Sequence, residues 1–257
     1  MNRLFIFGLG YAAKHIASAF TASGWEVLST GREGSMAFDD TASVRLALAD
    51  CQHVLSSVPP VSDGDPVLNT YAGLLGGKWL GYLSSTGVYG DAGGAWVDES
   101  TPIRGRRAAR NDADADWLAR GARVFRLPGI YGPGRSILER VRAGQAHRID
   151  LPDQVFSRVH VDDIATGVMA SLNAPSGAYN LTDDQPCAQN MLVEWACATL
   201  SLPLPPLQSL EDSNLSSAAR AFYAENRRVA NGKAKRVLGW QPLYPTWREG
   251  LASLHDA

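Results

Sequence analysis

The chain has 257 residues, 45% of them hydrophobic and 19% charged, a globular balance with enough length for one large α/β domain or a domain with a small appendage. Its 24 Lys+Arg against 26 Asp+Glu give a net charge of -2, which offers no electrostatic footprint for nucleic acid or an anionic membrane. No apolar run approaches the roughly 18 residues that span a bilayer.

In chain order, Arg3–Phe7 (RLFIF) reads as a buried strand. The opening MNRLFIFGLGYAAKH breaks into glycines and a lysine after a short apolar run, so a mature cytoplasmic start is expected rather than a signal peptide. Glu26–Ser29 (EVLS), His53–Ser57 (HVLSS), Trp79–Leu83 (WLGYL) and Arg123–Leu127 (RVFRL) read as further buried strands bounded by Gly, Pro and Ser. Between them Ala12–Ser23, Thr41–Ala49, Pro66–Leu75 and Asp112–Arg120 carry helical spacing, and Val161–Leu172 looks like another sheet-covering helix. Alternating strand and helix predict a parallel sheet covered on both faces. After Tyr131 proline, serine and arginine become dense, and LPLPPL at 202–207 excludes regular helix or a central strand. A smaller, irregular lobe over the strand ends is expected there. Cys51, Cys187 and Cys197 are too few and scattered for a disulfide framework or zinc site, and read as buried thiols.

The first strand runs into Gly8-Leu9-Gly10-Tyr11-Ala12-Ala13, a G-x-G-x-x-A loop opening an alanine-rich helix. Gly8 allows the tight turn, Gly10 lets backbone approach a pyrophosphate, and Ala13 lets the helix pack closely on its strand. Unpaired N–H groups and the positive end of the helix dipole would face the phosphates. This strand–turn–helix setting predicts a dinucleotide site including Tyr11, with a plain βα turn as the alternative. The second strand ends Ser29-Thr30-Gly31-Arg32, without the acid that an NAD site places on the ribose hydroxyls. A guanidinium with small hydroxyl neighbours suits a 2′-phosphate, so Arg32 favours NADP(H) over NAD(H). A solvated loop arginine beside an unfavourable Glu33 is the other reading. The expected division is 1–175 as the dinucleotide-binding domain, with 131–157 partly contributing to the cleft, and 176–257 as the substrate lobe.

With these pieces the chain resembles the extended short-chain dehydrogenase/reductases, the NAD-dependent epimerase/dehydratase family, and most closely their atypical branch. The resemblance rests on the Gly8–Ala13 loop, on Ser56-Ser57-Val58-Pro59-Pro60 after the family's fourth strand, and on Ser84-Ser85-Thr86-Gly87-Val88-Tyr89-Gly90 after its fifth. It continues through Arg126-Leu127-Pro128-Gly129-Ile130-Tyr131-Gly132-Pro133-Gly134-Arg135, Val159-His160-Val161-Asp162-Asp163-Ile164-Ala165 and Lys233-Ala234-Lys235-Arg236-Val237-Leu238-Gly239-Trp240. It implies a doubly wound Rossmann-type sheet with a small C-terminal substrate lobe. It also implies that Ser85 donates a hydrogen bond to a developing alkoxide, that Pro128 lies on the nicotinamide face, and that Ser57 and Pro59 line the cofactor's other side. A small-molecule substrate, such as a sugar nucleotide, is implied in the same way, with the chain a monomer or homodimer.

One departure matters. The family's acid/base is a Tyr-x-x-x-Lys pair, and no such pair occurs in this chain. Register from Trp117 and the VYG segment places Arg106 and Arg110 at those positions. Arg110 can bind a ribose hydroxyl and carry the positive charge, but a guanidinium at Arg106 stays protonated and cannot replace a phenol. Three readings remain open. Tyr89 or Tyr131, the nearest phenols, could supply the proton, although one also reads as a packing residue and the other as a loop anchor. Arg104, Arg106, Arg107, Arg110 and Arg135 could receive an anionic substrate, or form a solvated face. The protein could also bind cofactor silently, as a sensor or scaffold.

Other residues read more plainly. His160 before Asp162 and Asp163 marks a strand-to-helix junction with Asp162 as N-cap and Asp163 favouring the dipole, and without a second histidine at ligand spacing it predicts no metal. His15 reads as a helix residue, and Ser84 and Ser85 lack a nucleophile elbow. Gly239 reads as a helix C-cap with Trp240 packed behind it, and Trp195, Trp240 and Trp247 as lobe core.

Overall fold

The computed structural model describes residues 2–213 and 215–255. Its elements run β1 (Arg3–Phe7), α1 (Tyr11–Ala22), β2 (Glu26–Ser29), α2 (Thr41–Asp50), β3 (His53–Ser56), α3 (Pro66–Tyr71), β4 (Trp79–Ser85), α4 (Ala108–Ala119) and β5 (Arg123–Leu127). There follow α5 (Ile137–Arg142), α6 (Val161–Ala170), β6 (Gly177–Asn180), α7 (Gln189–Leu200), α8 (Ser217–Phe222), α9 (Gly232–Leu238) and α10 (Trp247–His255). The six strands form one sheet in the order β6-β5-β4-β3-β1-β2, parallel at every pairing. This is the doubly wound α/β architecture, with its switch point between β1 and β3.

Period-two alternation sorts the strand side chains between two cores. Leu4 and Ile6 of β1 face Ala13, Ile16 and Phe20 of α1 and Ile164 and Val168 of α6. Phe5 and Phe7 face the opposite layer, with Val44 and Leu48 of α2, Tyr71 of α3 and Trp117 of α4. Neither face is left to water, which explains why β1 is apolar from Leu4 to Phe7. A third cluster forms the lobe, joining Tyr131, Ile137 and Leu138 to Leu192, Val193, Trp247 and Leu251. No helix among the described residues is long and apolar enough to cross a membrane.

The chain passes between these layers more often than a division at residue 175 allows. β6 lies beyond that point yet closes the sheet beside β5, and Ala234 of α9 and Trp240 pack in the α1/α6 layer. Conversely α5, before it, belongs to the lobe cluster. Trp240 is therefore sheet core, its indole N–H donating to Thr166 Oγ1 at 3.1 Å, rather than lobe core. Gly239 caps α9 in the left-handed conformation at φ 64°, which costs glycine little. Ser56–Pro60 and Ser84–Gly90 follow the third and fourth strands here, because one helix, α2, makes the whole crossover from β2 to β3.

Candidate functional site

The ends of β1 and β2 build the first part of the site. Gly8 turns at φ +83°, where a Cβ is disfavoured. Its N–H donates to Thr30 Oγ1 at 3.1 Å and Leu9 N–H donates to Thr30 O at 2.9 Å, fastening the loop to β2. Gly10 is the N-cap of α1 in extended conformation and gives no side-chain cap. The first helical bond runs from Lys14 N–H to Gly10 O, so the N–H groups of Tyr11, Ala12 and Ala13 have no acceptor within the helix. A Cβ on Gly10 would meet no protein atom within 4 Å, which leaves the helix mouth open to a diphosphate. Ala13 is fully buried against the sheet. The Tyr11 hydroxyl donates to Pro133 O at 3.0 Å and its ring lies 5.6 Å from the Arg135 guanidinium, so Tyr11 roofs this mouth.

At the end of β2 Arg32 is exposed, whereas Thr30 is buried with its hydroxyl committed to Gly8. Thr30 therefore shapes the loop and is not one of the small hydroxyls open to a phosphate. Lys14, which sequence reasoning missed, pairs with Glu33 at 2.6 Å. It neutralises the acid beside Arg32 and brings a second cation to the same loop. The signal was available, since Lys14 follows Gly10 by one helical turn. Ser57 and Pro59 leave β3 on the other side of the switch point, where Ser57 N–H donates to Phe7 O at 2.8 Å.

The second part gathers at the ends of β4 and β5. Ser85, the last residue of β4, accepts from Gly87 N–H at 3.1 Å and borders a cavity of about 440 Å³ together with Arg106, Arg110, Pro128 and Arg135. The same Arg135 that lies over Tyr11 thus reaches this cavity, linking it to the glycine loop. Arg106 is drawn away from substrate duty: its Nε–H donates to Glu225 Oε1 at 2.6 Å and its Nη2 to Ala221 O at 2.8 Å, strapping the α8 segment over the cavity. Arg227 holds the other oxygen of Glu225 at 2.6 Å. Burial works to raise the Glu225 carboxyl, but its hydrogen bonds and charge pairing with the two guanidiniums hold it below its ordinary range.

The two candidate phenols separate. Tyr89 is 2% exposed and does not border the cavity, because the short 3-10 turn at Thr86–Tyr89 rotates it inward. Its hydroxyl donates to Asn180 Oδ1 at 2.7 Å and accepts from Arg126 Nη1 at 3.1 Å, and burial pushes it up to about 12. This is a structural setting, and the proton-donor expectation for Tyr89 gives way to it. Tyr131 borders a second cavity of about 810 Å³, between β5 and the lobe, with its ring edge-on to His160 at 5.2 Å. Its hydroxyl is buried without a hydrogen-bond partner, and burial, then the charges of Asp183 and Asp163, raise it far above the ordinary phenol value. It is held protonated.

Directly beneath Ser85 lies a network the sequence did not announce. Ser84 Oγ–H donates to Asp114 Oδ2 at 2.6 Å, and Arg126 donates through Nη2 to Oδ1 at 2.7 Å and through Nε to Oδ2 at 3.1 Å. Asp114 is 0% and Arg126 3% exposed. Through Tyr89 the chain of bonds reaches Asn180, whose Nδ2 donates to Ala230 O. Strands β4, β5 and β6 are thereby locked together under the site.

At the α6 junction the cap is His160, whose Nδ1 accepts from Asp162 N–H at 3.2 Å, and not Asp162. That bond places the ring proton on Nε2. The Asp162 carboxylate turns out to His15 at 2.9 Å, while Asp163 turns inward and accepts from the N–H groups of Leu243 and Tyr244. Burial raises Asp163 to about 7, so it tethers the approach to α10 rather than serving the dipole. No group of three or more His, Cys, Asp or Glu among the described residues could hold a metal ion.

No family model matches the chain. A stretch of 140 residues is 31% identical to a 3-diazoavenalumate denitrifying reductase of Streptomyces sp, covering 50% of this chain and 45% of that protein, so the match spans about half of each. Over its full length the chain is 37% identical to a solved conserved protein of unknown function from Silicibacter pomeroyi DSS, with 99% of that chain covered and a TM-score of 0.89. The human epimerase family protein SDR39U1, solved with NADPH, is 17% identical, with 99% of each chain covered and a TM-score of 0.77. By architecture and by the order of its motifs, the chain carries the fold of the extended short-chain dehydrogenase/reductases, the epimerase/dehydratase group.

Proposed function

We propose that the protein is an NADP(H)-dependent oxidoreductase or epimerase-like enzyme acting on a small molecule, a cytoplasmic monomer or homodimer. The observation that carries this is the uncapped α1 mouth at the switch point, joined by Arg135 to a cavity bordered by Ser85 and Pro128. The amides of Tyr11–Ala13 fit a diphosphate, and Arg32 with Lys14 fits a 2′-phosphate. The bound cofactor supplies hydride exchange. Ser85 Oγ donates a hydrogen bond to the oxygen where negative charge develops, and Arg110 holds positive charge beside it. Pro128 presents an apolar surface that keeps water from the reacting face.

Two measurements test this reading. NADPH should bind wild-type protein more tightly than NADH, and Arg32→Ala should weaken NADPH by about tenfold while leaving NADH unchanged, read by calorimetric titration. Equal affinities untouched by the substitution would retire the phosphate clamp. Ser85→Ala should lower turnover of the reduced cofactor with any accepted substrate by about tenfold to a hundredfold, leaving cofactor affinity in place.

A second reading has its own support. Arg106 stands where the family's tyrosine would, and its hydrogen bonds are spent on the α8 segment. A silent NADP(H)-binding protein would show the same titrations, yet no reduced-cofactor consumption with any substrate, and Ser85→Ala would change nothing.

A further inference from the structure

The cavity beside Ser85 and the larger one behind it differ in their balance of charge and aromatic surface. The first is bordered by five arginines, Arg106, Arg107, Arg110, Arg135 and Arg227, against a single carboxylate, Glu225. Arg106 and Arg227 are the two that Glu225 pairs with. Among the described residues no acid pairs with Arg107, Arg110 or Arg135. Three arginines without an ion-pair partner therefore border the space next to Ser85, Arg135 among them lying over the Tyr11 ring, and a guanidinium fork matches a carboxylate bidentately.

The second cavity shares Gly129, Ile130, Arg135, Phe156, Ser157 and Phe222 with the first, so the two adjoin. Beyond that wall it is bordered by Tyr131, Ile137, Leu192, Tyr223, Trp247 and Leu251. Most of its polar members are held by protein, while Arg140, whose Nη2 donates to Gln145 O at 3.4 Å, has no acid partner among the described residues. Arg158 donates to the Phe156 and Cys187 carbonyls and to Gln189 Oε1, and His147 pairs with the Tyr223 hydroxyl at 3.1 Å. Glu139 accepts from Gly134 and Ser136 N–H. The Phe156 and Phe222 rings stack at 4.6 Å on the shared wall and give it a flat apolar edge. Positive charge is thus densest at the Ser85 end, with five arginines against one acid, and thinner in the aromatic cavity, with three against one.

We propose that the paired cavities take an amphipathic acid, with a carboxylate-sized anion held by Arg107 and Arg110 beside Ser85 and a planar apolar body in the aromatic cavity. The inference deepens the enzyme reading above and rests on its assignment of the Ser85–Pro128 edge as the reacting end. The anion sets the orientation, and burial of the apolar body supplies most of the affinity.

The test is calorimetric titration of the full chain with 2-naphthoate, its neutral carboxamide, acetate and UDP-glucose, each with and without saturating NADP+. The acid is expected to bind at least about tenfold more tightly than the amide. Acetate, which lacks the apolar body, is expected to be at least about a hundredfold weaker than 2-naphthoate. Arg110→Gln should bring acid and amide to within about threefold of each other, with the affinity for the amide retained. UDP-glucose binding above the acid, equal binding of acid and amide, an Arg110→Gln ratio like wild type, or no binding of the acid overturns the proposal. Acid selectivity without any NADP+ binding would uphold the acid site and sink the dinucleotide reading, so the two failures are distinguishable.

Discussion

Asp114→Asn is expected to lower the free energy of unfolding by about 3–5 kcal/mol, because it strips a buried arginine of its counter-charge. Arg126 lies on β5 and is almost wholly enclosed, between Asp114 on α4 and Tyr89. Burial opposes its charge, yet hydrogen bonding and charge pairing with Asp114 and Tyr89 more than offset that and raise its pKa. Asparagine keeps the shape and can still accept from Ser84, but it leaves a cation in an apolar interior. The check is urea unfolding of wild type, Asp114→Asn, and the double variant Asp114→Leu with Arg126→Met. The double variant should recover most of the loss, since removing both charges also removes their desolvation cost. A single-variant loss below about 1 kcal/mol would mean that the pair is solvated in solution. Because Ser84 neighbours Ser85 on β4, the Asp114→Asn protein should also lose turnover through misplacement of the β4 end.

Asp183→Asn is expected to act in the opposite direction, and only at higher pH. Asp183 is 2% exposed, with Oδ2 buried and unpartnered. Burial raises it to about 8 against an ordinary value of 3.8, despite the nearby Arg158 guanidinium. A carboxyl raised on folding keeps its proton in the native state while the unfolded chain releases it. Its contribution is thus fully present below about pH 4 and is lost as pH rises through about 8, at about 1.4 kcal/mol per unit. The asparagine variant lacks that slope. It should match wild type near pH 4 and exceed it by on the order of 5 kcal/mol near pH 8, measured as the difference between urea unfolding curves across that range. A stability difference independent of pH would show that the carboxyl titrates normally in the folded protein. Asp163, raised to about 7 by burial, adds a second slope in both proteins over a window that ends about one unit lower.

Much of the frame was written locally. RLFIF followed by Gly8-x-Gly10 specifies strand, turn and helix within a dozen residues, and β1, α1 and the open helix mouth stand where the pattern put them. The helix α4 begins earlier than its apolar spacing suggested, at Ala108 rather than Asp112, because its first turn is polar and faces the cavity. Asp162 looked like a cap on residue type alone, but the helix already begins at Val161, and His160 before it caps the N–H of Asp162 itself through Nδ1.

The sequence by itself determined the βαβ alternation, the glycine loop and the absence of a Tyr-x-x-x-Lys pair, because each is carried by spacing within a few residues. Only the tertiary structure decided that Asp114 and Arg126 pair beneath Ser85, that Arg106 is captured by Glu225, and that Trp240 belongs to the sheet. Arg106 and Glu225 stand 119 positions apart, and whether a guanidinium meets an acid, a substrate or water depends on which distant segment the packed core brings beside it. Charge and hydrogen-bonding capacity are properties of a residue, whereas the partner that uses them is a property of the fold.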